Sequence, residues 1–140
     1  MKLHLGCFYK KIHGFTNVDI REDVEPDLID DVFKLEKVDR ESVDLIYACH
    51  VLEHARRQES KDAIKRWYEV LKIGGTLRIS VPDLQAVFEH YICHKDLKVL
   101  ESFIYGSQKH PYDFHYTGWD FSLIEKDLKE ACGYYKGNYV

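Results

Sequence analysis

Apolar positions along this chain fall into short blocks, and the spacing within a block shows which element it builds. Leu3 to Leu5 and Val18 to Ile20 are brief apolar runs of strand type, and Asp27-Leu28-Ile29, after Pro26, reads as a third. Val43-Asp44-Leu45-Ile46-Tyr47-Ala48-Cys49 is nearly continuous, as a central strand covered on both faces requires. The period then changes. Over Lys61 to Lys72, the residues Ala63, Ile64, Trp67, Tyr68 and Leu71 share one stripe at 3.6 spacing, and Gly74-Gly75 is expected to stop that helix. Thr76 to Val81 predicts the next strand, ended by Pro82. Strand, helix and strand in that order make one right-handed crossover unit.

Beyond Asp83 the spacing is helical again. Leu84, Val87, Phe88, Tyr91 and Ile92 make one apolar face, and Leu97, Leu100, Phe103 and Ile104 make a second, on a helix ending at Gly106. A polar aromatic loop from Gln108 to Trp119 follows. Ser122-Leu123-Ile124-Glu125 has the form of a capping box opening a last helix. Ile124, Leu128 and Ala131 are expected to face inward there, with Gly133 at its end. The tail from Tyr134 to Val140 has room to start one more strand. The whole predicts an α/β fold, Rossmann-like and doubly wound, on a mostly parallel sheet in one domain over residues 1–140. Two links strain that topology. Tyr9 to Phe15 is barely long enough for a parallel crossover, and about six residues join the second strand to the third.

In such a sheet, ligands sit outside the carboxyl ends of the strands. Gly6 ends the first strand, and lacking a Cβ it lets the backbone approach a ligand. Asp19 ends the second, thirteen residues later, and offers two acceptor oxygens to vicinal ribose hydroxyls. A glycine and a carboxylate on neighbouring strand ends outline a nucleoside-shaped site.

Composition narrows the class. Hydrophobic residues are 45% and aromatics 14% of 140 residues, enough for one core. The net charge of −4 argues against a nucleic-acid or membrane-surface partner, and no apolar run reaches membrane-spanning length. Met1-Lys2-Leu3-His4 has no signal-peptide pattern, so a cytoplasmic location is expected. Cys7, Cys49, Cys93 and Cys132 form no Cys-x-x-Cys pair and are expected to be buried reduced thiols, with no metal held.

Several local patterns then line up in order. They are Leu3-His4-Leu5-Gly6-Cys7, Gly14-Phe15-Thr16-Asn17-Val18-Asp19, Asp31, Ser42 to His54, and Leu71 to Asp83. Over roughly residues 2–85 the chain resembles the class I S-adenosylmethionine-dependent methyltransferases, in particular the small group with a shortened first half. The later Tyr105-Gly106 and Pro111 to His115 are similar, less specifically. The resemblance implies S-adenosylmethionine as cofactor and methyl transfer to a small or sugar-like acceptor. It implies that Leu5, Gly6, Cys7 and Phe8 line the methionine part, and that Asp19 and Ile20 sit at the ribose. Asp31 would accept from the adenine amino group and Val32 would offer its amide. Ala48, Cys49 and His50 would face the sulfonium.

Two departures stand out. Phe8 takes a position where the family usually has glycine, and the chain has residues for about one strand where the family places a sixth and a seventh. An unpaired edge beside the fifth strand recruits partners, so a homodimer is expected. A degenerate, non-catalytic member is the second reading. His54, Asp83 and His115 are the candidate catalytic groups, each with a plainer role: bracing for His54, helix capping for Asp83, loop packing for His115. His50-Val51-Leu52-Glu53-His54 also matches the His-x-x-Glu-His zinc-peptidase signature, a rival weakened by its place directly after a buried strand. His90 and His94 repeat the four-residue spacing on a face expected to meet solvent. A nicotinamide dehydrogenase wants three glycines where this chain has Gly6 alone.

Overall fold

The central strand runs over the seven residues expected of it, Val43–Cys49 (β4). The computed structural model describes residues 1–133, and the tail at 134–140, where one more strand had been expected to start, lies outside the described residues. Around β4 the sheet is built from Lys2–Leu5 (β1), Thr16–Asp19 (β2), Leu28–Ile29 (β3) and Leu71–Ser80 (β5). The order is β3-β2-β1-β4-β5 and every pairing is parallel. Four α-helices follow the first half: Arg57–Val70 (α1), Leu84–His94 (α2), Leu97–Tyr105 (α3) and Phe121–Cys132 (α4).

None of the three links from β1 to β4 carries an α-helix. The β1–β2 link is braced instead by one side chain. Asn17 accepts the Ile12 amide at 2.8 Å and donates back to the carbonyls of Ile12 and Phe15. Its own amides, backbone and side-chain, both donate to Asp27, and those two bonds hold the Asp27 carboxyl below the usual carboxylate range. His4 Nδ1 lies 3.0 Å from the same Asn17 Oδ1. The short β2–β3 link, counted against a parallel sheet, suffices because β3 is two residues long and a single 3-10 turn, Glu22–Val24, fills the gap.

The second half departs from the sequence reading in three places. Helix α1 opens at Arg57, where the Glu59 carboxylate accepts the Arg56 amide, and ends at Val70. Gly74-Gly75 therefore does not stop the helix. It lies inside β5, where the register jumps from Leu71 opposite Val43 to Thr76 opposite Leu45. A side chain at Gly75 would put a Cβ 2.9 Å from the Lys72 carbonyl, so the bulge needs glycine there. Helix α4 is capped by Asp120, whose Oδ1 accepts the Leu123 amide at 2.7 Å, and Ser122 sits inside the helix. An aspartate two residues upstream takes the N-cap position first, so the helix starts before Ser122.

The core runs from Leu3, Leu5 and Val18 through Ile46 and Leu52 to Ile64, Trp67 and Val70, and Ile124, Leu128 and Ala131 of α4 pack against it. Helices α2 and α3 contribute little. Val87 is their one buried residue, while Ile92 is 64% and Leu97 61% exposed. Their apolar stripes read correctly as helical but do not face the core. Cys93 is likewise exposed, against the expectation of burial, because it falls on that same outward α2 surface. No helix among the described residues is long and apolar enough to cross a membrane.

Candidate active site

Strand β1 ends in a turn that no ordinary residue can open. Gly6 has φ +63°, and a Cβ there would meet Val51 Cγ2 at 2.6 Å. The next turn is closed by the Lys10 amide on the Cys7 carbonyl at 2.8 Å. Phe8 also takes a positive φ of 47°, a conformation costly for a side chain. Asp19 stabilises it: Oδ2 accepts the Phe8 amide at 2.9 Å and Oδ1 accepts the Arg21 amide at 3.0 Å. The carboxylate that ends β2 thus fixes the loop that ends β1. The Phe8 ring is 46% exposed and lies under the Arg21 guanidinium, 5.0 Å from its centroid, so it stands at the rim and is not core.

Gly6 and Asp19 open onto one cleft of about 1050 Å³ at the carboxyl ends of the strands. Of the residues expected at the cofactor, Gly6, Cys7, Phe8, Asp19, Ile20, Asp31, Val32, Cys49 and His50 line it. Leu5 and Ala48 do not, since their side chains are buried in the core. Strand alternation explains this: Tyr47 and Cys49 share the cleft face of β4, and Ala48 points to the other. Burial, aided by Asp19, pushes the Cys7 thiol up to about 11. The Tyr47 hydroxyl is pushed up by the Cys49 thiol beside it. Asp31 folds back on its own turn, with Oδ1 accepting the Phe33 amide and Oδ2 3.0 Å from Lys34 Nζ. His50, too, takes a positive φ of 55° as β4 ends, and its Nδ1 donates to Glu53 Oε1 at 3.1 Å.

The three candidate catalytic groups part company. His54 lines the cleft, held through Nδ1 by the Phe114 carbonyl at 3.0 Å. Asp83 caps α2, accepting the Gln85 amide at 3.0 Å. It borders a separate, apolar cavity of about 460 Å³ between β5 and α4. His115 packs edge-on against His54 with centroids 4.8 Å apart, and its Nδ1 donates to the Phe103 carbonyl at 2.7 Å. The Gln108–Trp119 loop splits in the same way: Trp119 is buried core, while Lys109, Tyr112, Asp113 and Tyr116 line the cleft.

Sequence reasoning missed His4 and Tyr47, whose rings lie 5.5 Å apart in the cleft wall. They reach it because no crossover helix covers them. The signal was available: alternation along β4 pairs Tyr47 with Cys49, and the unusually short crossover warned that no helix would intervene. The His-x-x-Glu-His run does not make a peptidase helix. Leu52–His54 is a single 3-10 turn, and His50 belongs to the strand end before it.

The cleft fits S-adenosylmethionine in donor chemistry: a side-chain-free turn, a carboxylate one strand over, a second carboxylate beyond β3, and room for a nucleoside. Comparison with known proteins bears on this directly. Residues 15–79 match the family described as methyltransferase domain. No curated protein matches the sequence. Among solved structures, a protein of Pyrococcus horikoshii aligns over 92% of this chain and 71% of its own length, at 20% identity and TM-score 0.65. A SAM-dependent methyltransferase of Archaeoglobus fulgidus aligns over 96% of this chain and 61% of its own, at 18% identity and TM-score 0.64. A complex of a methyltransferase and its activator from Haloferax volcanii aligns over 93% and 59%, at 15% identity and TM-score 0.59. This chain therefore spans about three fifths to seven tenths of the length of those structures. Domain match, sheet order and cleft agree: residues 15–79 match a methyltransferase domain, and the fold is that of solved structures that include a SAM-dependent methyltransferase.

Proposed function

We propose that this chain, as one domain over residues 1–140, transfers a methyl group from S-adenosylmethionine to a small, polar, sugar-like acceptor. One observation carries the reading: Gly6, Asp19, Asp31 and His50, from the ends of successive strands, line a single cleft. When bound, the cofactor supplies a methyl group on a sulfonium, an electrophile the protein need not make. The chain's part is alignment, which is worth up to ~7–11 kcal/mol in favourable systems. Asp19 accepts one amide on each oxygen, and a carboxylate oxygen has a second lone pair to offer a ribose hydroxyl. Asp31 and the Val32 amide take the adenine. Support for a polar acceptor comes from the loop side of the cleft, where Lys109, Tyr112, Asp113 and Tyr116 combine charge with aromatic faces. Of the candidate catalytic groups, His54 lines the cleft on that same side.

A binding protein without turnover is the second reading, favoured by Phe8 in the usual glycine position. Calorimetry with S-adenosylmethionine and its demethylated product separates the two. Tight binding by wild type, weakened at least tenfold in Asp19→Ala, is the expected result. Loss of two amide-accepting oxygens at a charged group is worth ~1.5–3 kcal/mol per bond, more than that factor needs. Binding without methyl transfer to any polyol tested would leave the second reading in place, and no binding by wild type would end both.

Strand β5 has no second neighbour among the described residues. We place a homodimer across that edge, in a cytoplasmic setting. The Haloferax methyltransferase, which has a second chain in its complex, is a precedent for a partner of some kind. Size exclusion with light scattering is expected to give twice the mass of 16.6 kDa, and a clean monomer removes the dimer.

A further inference from the structure

Beside the cleft, where His54 lines it, lies a cluster whose other two members, Glu53 and His115, do not line the cleft. Glu53, His54 and His115 each present a ligand atom, and the three atoms lie within 4.8 Å of one another. Glu53 is 1% exposed. Its Oε1 is engaged by His50 Nδ1, but its Oε2 is buried with no hydrogen-bond partner among the described residues. A buried carboxylate oxygen left without a donor is costly and calls for a partner of positive charge.

Each imidazole has one ring nitrogen engaged by a backbone carbonyl and the other left to serve as a ligand. His54 Nδ1 faces the Phe114 carbonyl and His115 Nδ1 faces the Phe103 carbonyl. A carbonyl only accepts, so each Nδ1 carries the hydrogen and each Nε2 keeps its lone pair. Metal-bound histidines show this same arrangement, one ring nitrogen on the ion and the other donating to a backbone carbonyl or carboxylate. The backbone holds the pieces in register. The Tyr116 amide donates to the Glu53 carbonyl at 2.9 Å, and the Thr117 hydroxyl donates to the Ala55 carbonyl at 3.0 Å.

We propose that Glu53 Oε2, His54 Nε2 and His115 Nε2 bind one divalent first-row transition-metal ion of the zinc type. Two imidazoles and one carboxylate suit zinc or iron(II) better than magnesium or calcium, which prefer all-oxygen sets. Three protein ligands leave a coordination position for water, as in catalytic zinc sites, and His54 puts it beside the cleft. The ligand set is not that of the His-x-x-Glu-His signature. His50 braces Glu53 from outside, and the third ligand comes from the distant loop. The ion would tie the Leu52–His54 turn to that loop; the proposal shares His54 with the methyl-transfer reading but does not depend on it.

The test uses the full chain stripped with a chelator, then titrated with zinc(II) against a chromophoric competitor and with cobalt(II) by visible absorption. One equivalent per chain, with a cobalt spectrum of a low-coordinate nitrogen–oxygen site, is expected. His115→Ala and Glu53→Gln should each weaken binding by roughly 100-fold, since even outer partners of such ligands are worth 10–100-fold. Metal should raise the unfolding midpoint of wild type and not that of His115→Ala. The exposed pair His90 and His94, with ring centroids 4.4 Å apart on α2, is the internal control. The double variant His90→Ala/His94→Ala should bind as wild type does. No stoichiometric binding, binding that survives His115→Ala, or binding lost only in the α2 double variant would each overturn the proposal. Should Glu53→Gln fail to fold, His115→Ala and His54→Ala, both at partly exposed positions, still decide it. Cofactor calorimetry on the same samples keeps the two readings separate, because either site can be lost while the other binds.

Discussion

The molecule contains two fully buried tryptophans, one on α1 and one in the loop before α4, and they are held in different ways. Trp67 of α1 is 0% exposed and donates through Nε1 to the Val32 carbonyl at 2.7 Å. Trp119, in the loop before α4, is 1% exposed and donates to the Asp127 carboxylate at 2.8 Å. Both rings belong to the apolar core that includes Ile46, Leu52 and Ile64. Around Trp119 the chain is fastened mostly by hydrogen bonds: Leu84 amide to the Trp119 carbonyl, Tyr116 amide to the Glu53 carbonyl, Thr117 hydroxyl to the Ala55 carbonyl. Helices α2 and α3 beside it bury Val87 alone. The strand-end cradle of the cleft therefore rests mainly on apolar burial, whereas the Gln108–Trp119 loop adds a polar web to its apolar anchor. Elements of the second kind open at lower free energy than the global fold.

That contrast is broken most forcefully at Trp67. Trp67→Ala should cost ~3–5 kcal/mol and lower the midpoint of the whole domain in one denaturant transition. A smaller loss, confined to one segment, would mean that the cradle is not the stable unit. Trp119→Phe keeps the ring but leaves the Asp127 carboxylate, 3% exposed, short of its nearest donor. A penalty of ~1–3 kcal/mol is expected, with hydrogen exchange accelerated in the loop and α4 ahead of β1 and β4. Least costly is Thr117→Val, which deletes one bond to Ala55. About 0.5–1.5 kcal/mol should be lost, while amide protection at residues 114–117 falls and that of the sheet holds. Equal loss of protection in both halves would abolish the distinction.

The same divide governs what could be read from the residues alone. β4 was legible to its last residue because a doubly covered strand leaves a continuous apolar run. Gly6 and Asp19 were legible because a turn and a strand end have few alternatives. The rest failed for local physical reasons. Asp120 took the cap from Ser122, a bulge absorbed Gly74-Gly75, and the stripes of α2 and α3 carried the helical period without a core to face. Tyr47 was passed over for Ala48 by one step of alternation. The pairing of Glu53 and His54 with His115 is set by hydrogen bonds of the loop backbone, which sequence spacing does not display.

Asn17 has one further effect. By standing in for a helix it lets β1 and β2 meet at a sequence separation of thirteen between Leu3 and its partner Thr16, against forty-three between Leu3 and Ile46 on the other side. Closing the nearer contact costs about 1 kcal/mol less chain entropy. The pairing that brings Gly6 and Asp19 together is thus the cheaper of the two for the unfolded chain to close.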